Sequence, residues 1–239
     1  MAKQLLEKII TVKNPKSPIS EAYRTLRTNI QFSSFDKEIK VLHMTSAGPG
    51  EGKSTTVANL AVTFGQAGKK VLILDCDLRR PSQHKIFNLP NMRGLSNLLV
   101  EDLSLDELLQ ETEADRVRVL TTGPIPPNPA ELVGSNKMKE FIKGLRESTE
   151  FDIILVDSPP ALAVTDALLL SSLADATLLV LNAGEVTREL AREARDALVN
   201  VNANLIGAVL NKVKKNGSYS YYYYYYYGES NRGKKRKRK

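Results

Sequence analysis

The segment from Ala47 to Thr55, AGPGEGKST, constrains this chain more than any other. Gly48, Gly50 and Gly52 allow a backbone path on which successive N–H groups converge on one point. A short apolar run, Val41 to Thr45, precedes the segment, and a helix-forming run from Lys53 to about Gln66 follows it. This order predicts a strand, a glycine-rich turn, and a helix whose positive N-terminal end faces the turn. It fits the P-loop pattern with alanine in place of the first glycine. Gly48, Pro49, Gly50, Glu51, Gly52, Lys53, Ser54 and Thr55 are therefore the expected nucleotide-binding set. Lys53 suits bridging of the β- and γ-phosphates of ATP, and Ser54 suits ligation of Mg²⁺.

Two further segments place acids where an open parallel sheet binds its ligands, at strand C-termini. LILDCDLRR puts Asp75 and Asp77 after one apolar run, and FDIILVDSPP puts Asp157 after another. A single acid closing a strand also serves as a cap for a turn or helix. Three of them together with a P-loop point to work on Mg²⁺, with Asp157 in the Walker B position. Asp75 and Asp77 are two residues apart, so their side chains share a face if the strand persists that far.

Apolar runs and helical periods alternate along the rest of the chain. Strands are expected at Val71 to Leu74, Val117 to Leu120, Ile153 to Val156, Ala176 to Leu181 and Leu205 to Leu210. Helices are expected at Glu21 to Phe32, capped by Ser17 or Ser20, and at Met138 to Glu147, Asp166 to Leu173 and Thr187 to Asn200. The fold class that follows is α/β, a parallel central sheet flanked by helices on both faces. Residues 82–115 read as short helices and loops, and Pro124 to Pro129 as a proline-rich loop. Strand order is not legible. Residues 1–16 read as a flexible arm, 17–213 as the folded domain and 214–239 as a disordered tail.

Charge sharpens the domain division. The chain of 239 residues carries +7, and residues 216–239 hold seven bases against one acid, Glu229, so +6 resides in the tail. The body is nearly neutral, which argues against a nucleic-acid face. One cysteine, Cys76, rules out an internal disulfide and reads as a small buried residue. His43 reads as strand packing and His84 as a surface helix residue. The N-terminal MAKQLLEKII lacks the apolar core of a signal peptide, and no apolar run spans a bilayer. Eight of the nine tyrosines, Tyr219, Tyr221, Tyr222, Tyr223, Tyr224, Tyr225, Tyr226 and Tyr227, lie in the tail. An exposed aromatic run invites aggregation, whereas an array of phosphoacceptors has a use. The terminal GKKRKRK reads equally as a solubilising end or as a contact for anionic lipid.

Taken together, the chain resembles the bacterial tyrosine kinases of capsule and exopolysaccharide systems. LILDCDLRRP resembles their second Walker-type motif, and GLSNLL at 94–99 and GPIPPNPAELVGS at 123–135 resemble further recurring segments. Glu21, Arg24 and Arg27 reproduce the E-x-x-R-x-x-R oligomerisation motif. The resemblance implies the P-loop NTPase fold and ATP-dependent autophosphorylation of the tail tyrosines. It places Ser54, Asp75 and Asp157 about the Mg²⁺, with Lys53 on the phosphates and Asp77 activating the tyrosine hydroxyl. The division of the acids between metal and tyrosine is left open. Asn211 resembles a position that contacts adenine, and reads equally as a strand-end turn residue. Glu21, Arg24 and Arg27 read either as an exposed intrahelical pair or as the contact face of a ring-shaped homo-oligomer. Expected partners are a membrane-embedded activator, a tyrosine phosphatase and protein substrates, with the kinase peripheral to the inner face of the membrane. The alternative is a partition or septum-positioning ATPase. Those relatives carry a lysine early in the loop, where Gly48 stands here, and have no tyrosine tail.

Overall fold

Strand β1 (Val41–Ser46) is buried along its whole length, and its alternate side chains feed two separate cores. Leu42 and Met44 face one core and Val41 the other, as the two-residue period of a strand dictates. The computed structural model describes residues 9–33 and 38–213. Within them β2 (Val71–Asp75), β3 (Gln110–Glu111), β4 (Val117–Leu120), β5 (Ile153–Asp157), β6 (Ala176–Asn182) and β7 (Leu205–Asn211) join β1 in one sheet of order β3-β4-β2-β5-β1-β6-β7. All neighbours run parallel except β3, a two-residue antiparallel edge on β4 that sequence periodicity does not reveal.

Helices cover both faces, as expected for a parallel sheet buried on each side. On one lie α1 (Ile10–Lys13), α2 (Pro18–Phe32), α3 (Lys53–Gln66) and α4 (Gln83–Phe87). On the other, α5 (Leu95–Val100), α7 (Asn136–Glu147) and α8 (Asp166–Leu173) contribute Leu95, Ile142 and Leu170 to the second core. The single turn α6 (Pro129–Val133) packs on α8, and α9 (Arg188–Asn200) buries Ala194 and Leu198 with Leu179 near the β7 edge. The boundaries follow local chemistry. Ser17 Oγ accepts the Ser20 amide and Pro18 opens α2, so the helix starts three residues earlier than expected. Ser135 and Thr187 cap α7 and α9 in the same way.

Three expectations differ from the structure. Of the expected arm, residues 9–16 are described, and Ile9 to Val12 pack against the domain while 13–16 are exposed. Ile9 is fully buried, and the Thr11 amide and hydroxyl both donate to Asn59 Oδ1 at 3.1 Å. An isoleucine and a satisfied threonine are enough to dock a four-residue helix that is too short to signal itself. The proline-rich loop yields α6 because Pro129 is tolerated at a helix's first turn. Finally, β2 ends at Asp75, so Asp77 lies in the following loop and not on the strand.

Candidate active site

The loop between β1 and α3 turns through Gly50 (φ 78°) and Gly52 (φ 88°), conformations that a side chain disfavours. Its shape is held from inside. The Glu51 carboxylate is buried, accepting the Gly48 amide at Oε1 and the Asn182 amide at Oε2, the latter at 3.1 Å. Burial raises the Glu51 pKa, and these amides oppose the rise. Asn211 Nδ2 donates to the Glu51 carbonyl at 2.8 Å, and Lys212 Nζ to the Gly50 carbonyl at 2.8 Å. Glu51 and Asn211 thus brace the loop through its own backbone. Pro49, Gly50 and Thr55 remain exposed.

Lys53 opens α3 and turns its ammonium toward the strand ends. Nζ lies 2.5 Å from Asp157 Oδ1, 3.8 Å from Asp77 Oδ2 and 3.1 Å from Ser54 Oγ. Burial disfavours its charge, but Asp157, Asp77 and Asp75 together overcome that effect and raise its pKa. Parallel pairing of β2 with β5 sets Asp75 directly opposite Asp157. Asp75 is fully buried, with Oδ2 accepting the amides of Ser82 (3.1 Å) and Gln83 (2.9 Å). Its Oδ1 is buried without a hydrogen-bond partner among the described residues. Burial and the neighbouring Asp157 charge raise its pKa to about 7.

The three acids differ in access. Asp75 and Asp157 have no exposed surface, while Asp77 keeps 7%. Asp77 Oδ1 accepts the Arg80 amide at 2.9 Å, which anchors the loop after β2. Below them, His43 is buried with Nε2 2.7 Å from Ser158 Oγ and Nδ1 3.3 Å from Thr177 Oγ1. Burial, reinforced by the Lys53 charge, lowers its pKa to about 3, so it packs as a neutral ring. Cys76 is buried and free, and burial pushes its thiol pKa well up.

The residue that sequence reading missed is Gln83. Fully buried, its Nε2 donates to Asp157 Oδ2 at 2.7 Å and to the Ser54 carbonyl at 3.1 Å. A glutamine opening a short polar helix carries no signal that it reaches back to a Walker acid. Arg79 also escaped notice: it grips the buried Asp166 with two hydrogen bonds, at 2.9 and 3.1 Å.

Glu21, Arg24 and Arg27 lie half-buried along α2. Arg24 pairs with Glu21 and donates to the Pro15 carbonyl at 2.8 Å, while Arg27 donates to the Thr63 carbonyl near the end of α3. The tail tyrosines lie outside the described residues, as does the basic terminus.

These residues fit a Mg²⁺-bound polyphosphate. Ser54 Oγ and the unpartnered Asp75 Oδ1 are available oxygens, and the buried Lys53 ammonium lies against Ser54 Oγ and Asp157. Among the described residues no group of three or more His, Cys, Asp or Glu could hold a metal by itself. Mg²⁺ in such sites takes one or two protein ligands together with phosphate oxygens and water.

A family profile described as "AAA domain" matches residues 37–189. The tyrosine-protein kinase YwqD of Bacillus subtilis is 46% identical over 213 residues, covering 88% of this chain and 89% of that protein. Among solved structures, the chimerical protein CapA2B2 matches with a TM-score of 0.83 and 40% identity, over 87% of this chain and 91% of that one. The kinase domain of the Escherichia coli tyrosine kinase ETK matches with a TM-score of 0.83 and 34% identity, over 88% of this chain and 82% of that one. On its strand order, its phosphate loop and these relatives, the chain belongs to the bacterial tyrosine-protein kinase family.

Proposed function

We propose that this chain transfers the γ-phosphoryl group of MgATP to tyrosine hydroxyls, first of all those of its own Tyr219 to Tyr227 cluster, within a capsule or exopolysaccharide system. The observation that carries the reading is the graded exposure of the carboxylates around Lys53. Asp75 and Asp157 have no exposed surface, and Asp77 alone retains surface that a phenol can approach.

The loop amides and Lys53 hold the phosphates, and Ser54 with Asp75 holds Mg²⁺, whose charge offsets that of the phosphate oxygens when bound. Asp157, fixed by Gln83, sets the position of Lys53. A phenol is mostly protonated at neutral pH. Asp77 accepts its proton as the tyrosine oxygen bonds the γ-phosphorus and the bond from that phosphorus to the β–γ bridging oxygen breaks, which releases ADP. Each phosphate adds about −1.5 to −2 charge, so the tail's +6 reverses after a few transfers.

Assembly and location belong to the same proposal. The half-exposed Glu21, Arg24 and Arg27 face supports a ring of copies whose tails enter neighbouring sites. A membrane-embedded activator supplies the attachment in this reading and a tyrosine phosphatase resets the tail; among the described residues no helix is long and apolar enough to cross a membrane.

Incubation of the full chain with labelled MgATP, followed by mass spectrometry, tests the reading. Phosphotyrosine within 219–227 is expected, lost in Asp77→Asn while nucleotide binding persists. Release of free phosphate with no phosphotyrosine would leave an ATPase instead. Changing Arg24 and Arg27 together to alanine is expected to give a monomer by light scattering.

A further inference from the structure

Beside the acids lies a cleft of about 720 Å³ that the phosphoryl-transfer chemistry does not use. Arg79, Arg80, Ser82, His84 and Lys85 form one wall, and Asn91 and the run Gly123, Pro124 and Ile125 form the other. Among the described residues no carboxylate lines it. Arg79 is neutralised by Asp166, but among the described residues Arg80 and Lys85 have no ion-pair partner. Ser82 Oγ and His84 Nδ1 are buried without hydrogen-bond partners among the described residues. The opposite wall is apolar at Pro124 and at Ile125, which is 60% exposed.

The cleft is built into the active site by the backbone. The amides of Arg80 and Ser82 are bonded to Asp77 and Asp75, so the loop that fixes the two acids carries its side chains into the cleft. The far wall is equally fixed. The Gly123 amide donates to Asn91 Oδ1 at 2.9 Å, and Asn91 Nδ2 returns a bond to the Gly123 carbonyl at 3.0 Å. The 94–99 segment supports that wall, with Leu95 and Ser96 amides bonded to the carbonyls of Thr121 and Thr122. Gly94 approaches so closely that an added Cβ would stand 2.0 Å from the Thr121 carbonyl oxygen.

A ligand for this cleft combines an apolar ring with a strong negative charge. We propose that the cleft holds a phosphotyrosine of the acceptor peptide while a neighbouring tyrosine meets Asp77, so that one phosphorylation primes the next. The inference rests on the kinase reading and deepens it by naming the preferred substrate. Pro124 and Ile125 take the ring, while Arg80 and Lys85 take the phosphate through charge-assisted bonds. Arg80, whose amide bonds Asp77, lines the cleft three positions further on, so a residue close to the acceptor in the peptide is the one expected to enter it. The run Tyr221 to Tyr227 supplies such neighbours at every step.

The test uses the full, dephosphorylated chain and three peptides that differ only beside the acceptor tyrosine, where they carry phosphotyrosine, tyrosine or glutamate. Initial rates are read by mass spectrometry and binding by fluorescence anisotropy. The phosphotyrosine peptide is expected to react and bind about tenfold better than the tyrosine peptide, the scale of one charge-assisted contact. The Arg80→Gln/Lys85→Gln variant is expected to lose that preference and keep its rate on the tyrosine peptide. Equal rates and binding for the phosphotyrosine and tyrosine peptides overturn the proposal, as does a preference that survives in the variant. A glutamate peptide that matches phosphotyrosine overturns it as well. Absent transfer with the binding preference intact counts against the kinase reading alone and leaves the cleft assigned.

Discussion

Gln83 and Asp157, 74 positions apart in the chain, are joined by a 2.7 Å hydrogen bond inside the site. The same Nε2 bonds the Ser54 carbonyl, so one amide ties the Walker acid to the first turn of α3. Replacing Gln83 with leucine leaves the buried Asp157 carboxylate and the part-buried Ser54 carbonyl each short of a donor. About 1–3 kcal/mol of stability is expected to be lost, together with a fall in kcat as Asp157 loses its fixed orientation. Urea unfolding and steady-state autophosphorylation check the two effects. An unchanged midpoint would mean that water replaces the amide without cost.

Gly52 and Asn211 form a second coupled pair. A Cβ on Gly52 would stand 2.1 Å from Asn211 Nδ2, and φ there is +88°. Gly52→Ala therefore incurs the left-handed penalty of about 1–2 kcal/mol and displaces Asn211 from the Glu51 carbonyl. Asn211→Ala removes the collision but not the backbone strain. The double variant is expected to be more stable than the sum of the single effects predicts, by denaturant unfolding in a double-mutant cycle. Strict additivity would count against the contact.

Arg79 and Asp166 are unequal partners. Asp166 is fully buried, whereas the Arg79 side chain is 39% exposed. Truncating Arg79 to alanine strands a buried carboxylate and is expected to cost about 1–3 kcal/mol. Truncating Asp166 leaves a guanidinium that water can reach, so its cost is expected to be smaller. Thermal unfolding of the two variants ranks them, and the reverse order would refute the assignment.

Two buried groups impose opposite dependences on pH. The His43 pKa is lowered to about 3, by burial and then by Lys53. The unfolded chain takes up that proton near pH 6.5, so between about 6.5 and 3 falling pH removes stability, by at most about 1.4 kcal/mol per unit. The Asp75 pKa is raised to about 7, by burial and then by Asp157. Its unfolded form ionises near pH 4, so between about 7 and 4 the folded state binds more protons and falling pH adds stability. In the wild type the two slopes oppose each other. On passing from pH 8 to pH 5, His43→Gln is expected to gain stability relative to wild type and Asp75→Asn to lose it. Denaturant midpoints at pH 8, 6.5 and 5 measure this, and three parallel curves would exclude it.

Features carried by neighbouring residues were legible without coordinates. The strand, loop and helix over 41–66 follow from an apolar run, three glycines and helix-forming residues that act on their immediate neighbours. Helix α8 was read at its observed bounds, and β4 at its own. Short elements escaped because they rest on distant contacts. Helix α1 is held by Ile9 in a core built from other segments and by Thr11 on Asn59, while β3 exists only through its pairing with β4.

Local sequence determined that a glycine-rich turn opens a helix and that acids close apolar strands, since glycine freedom, strand period and charge are properties of the chain itself. Tertiary structure decided which acids meet, because the order β4-β2-β5-β1 and its register, absent from any local pattern, set Asp75 against Asp157. Packing then buried those two and left Asp77 partly open, and it brought Gln83 back to the P-loop and Arg80 to the cleft. Access and long-range hydrogen bonding depend on distances in space, and those come into being only when the sheet closes.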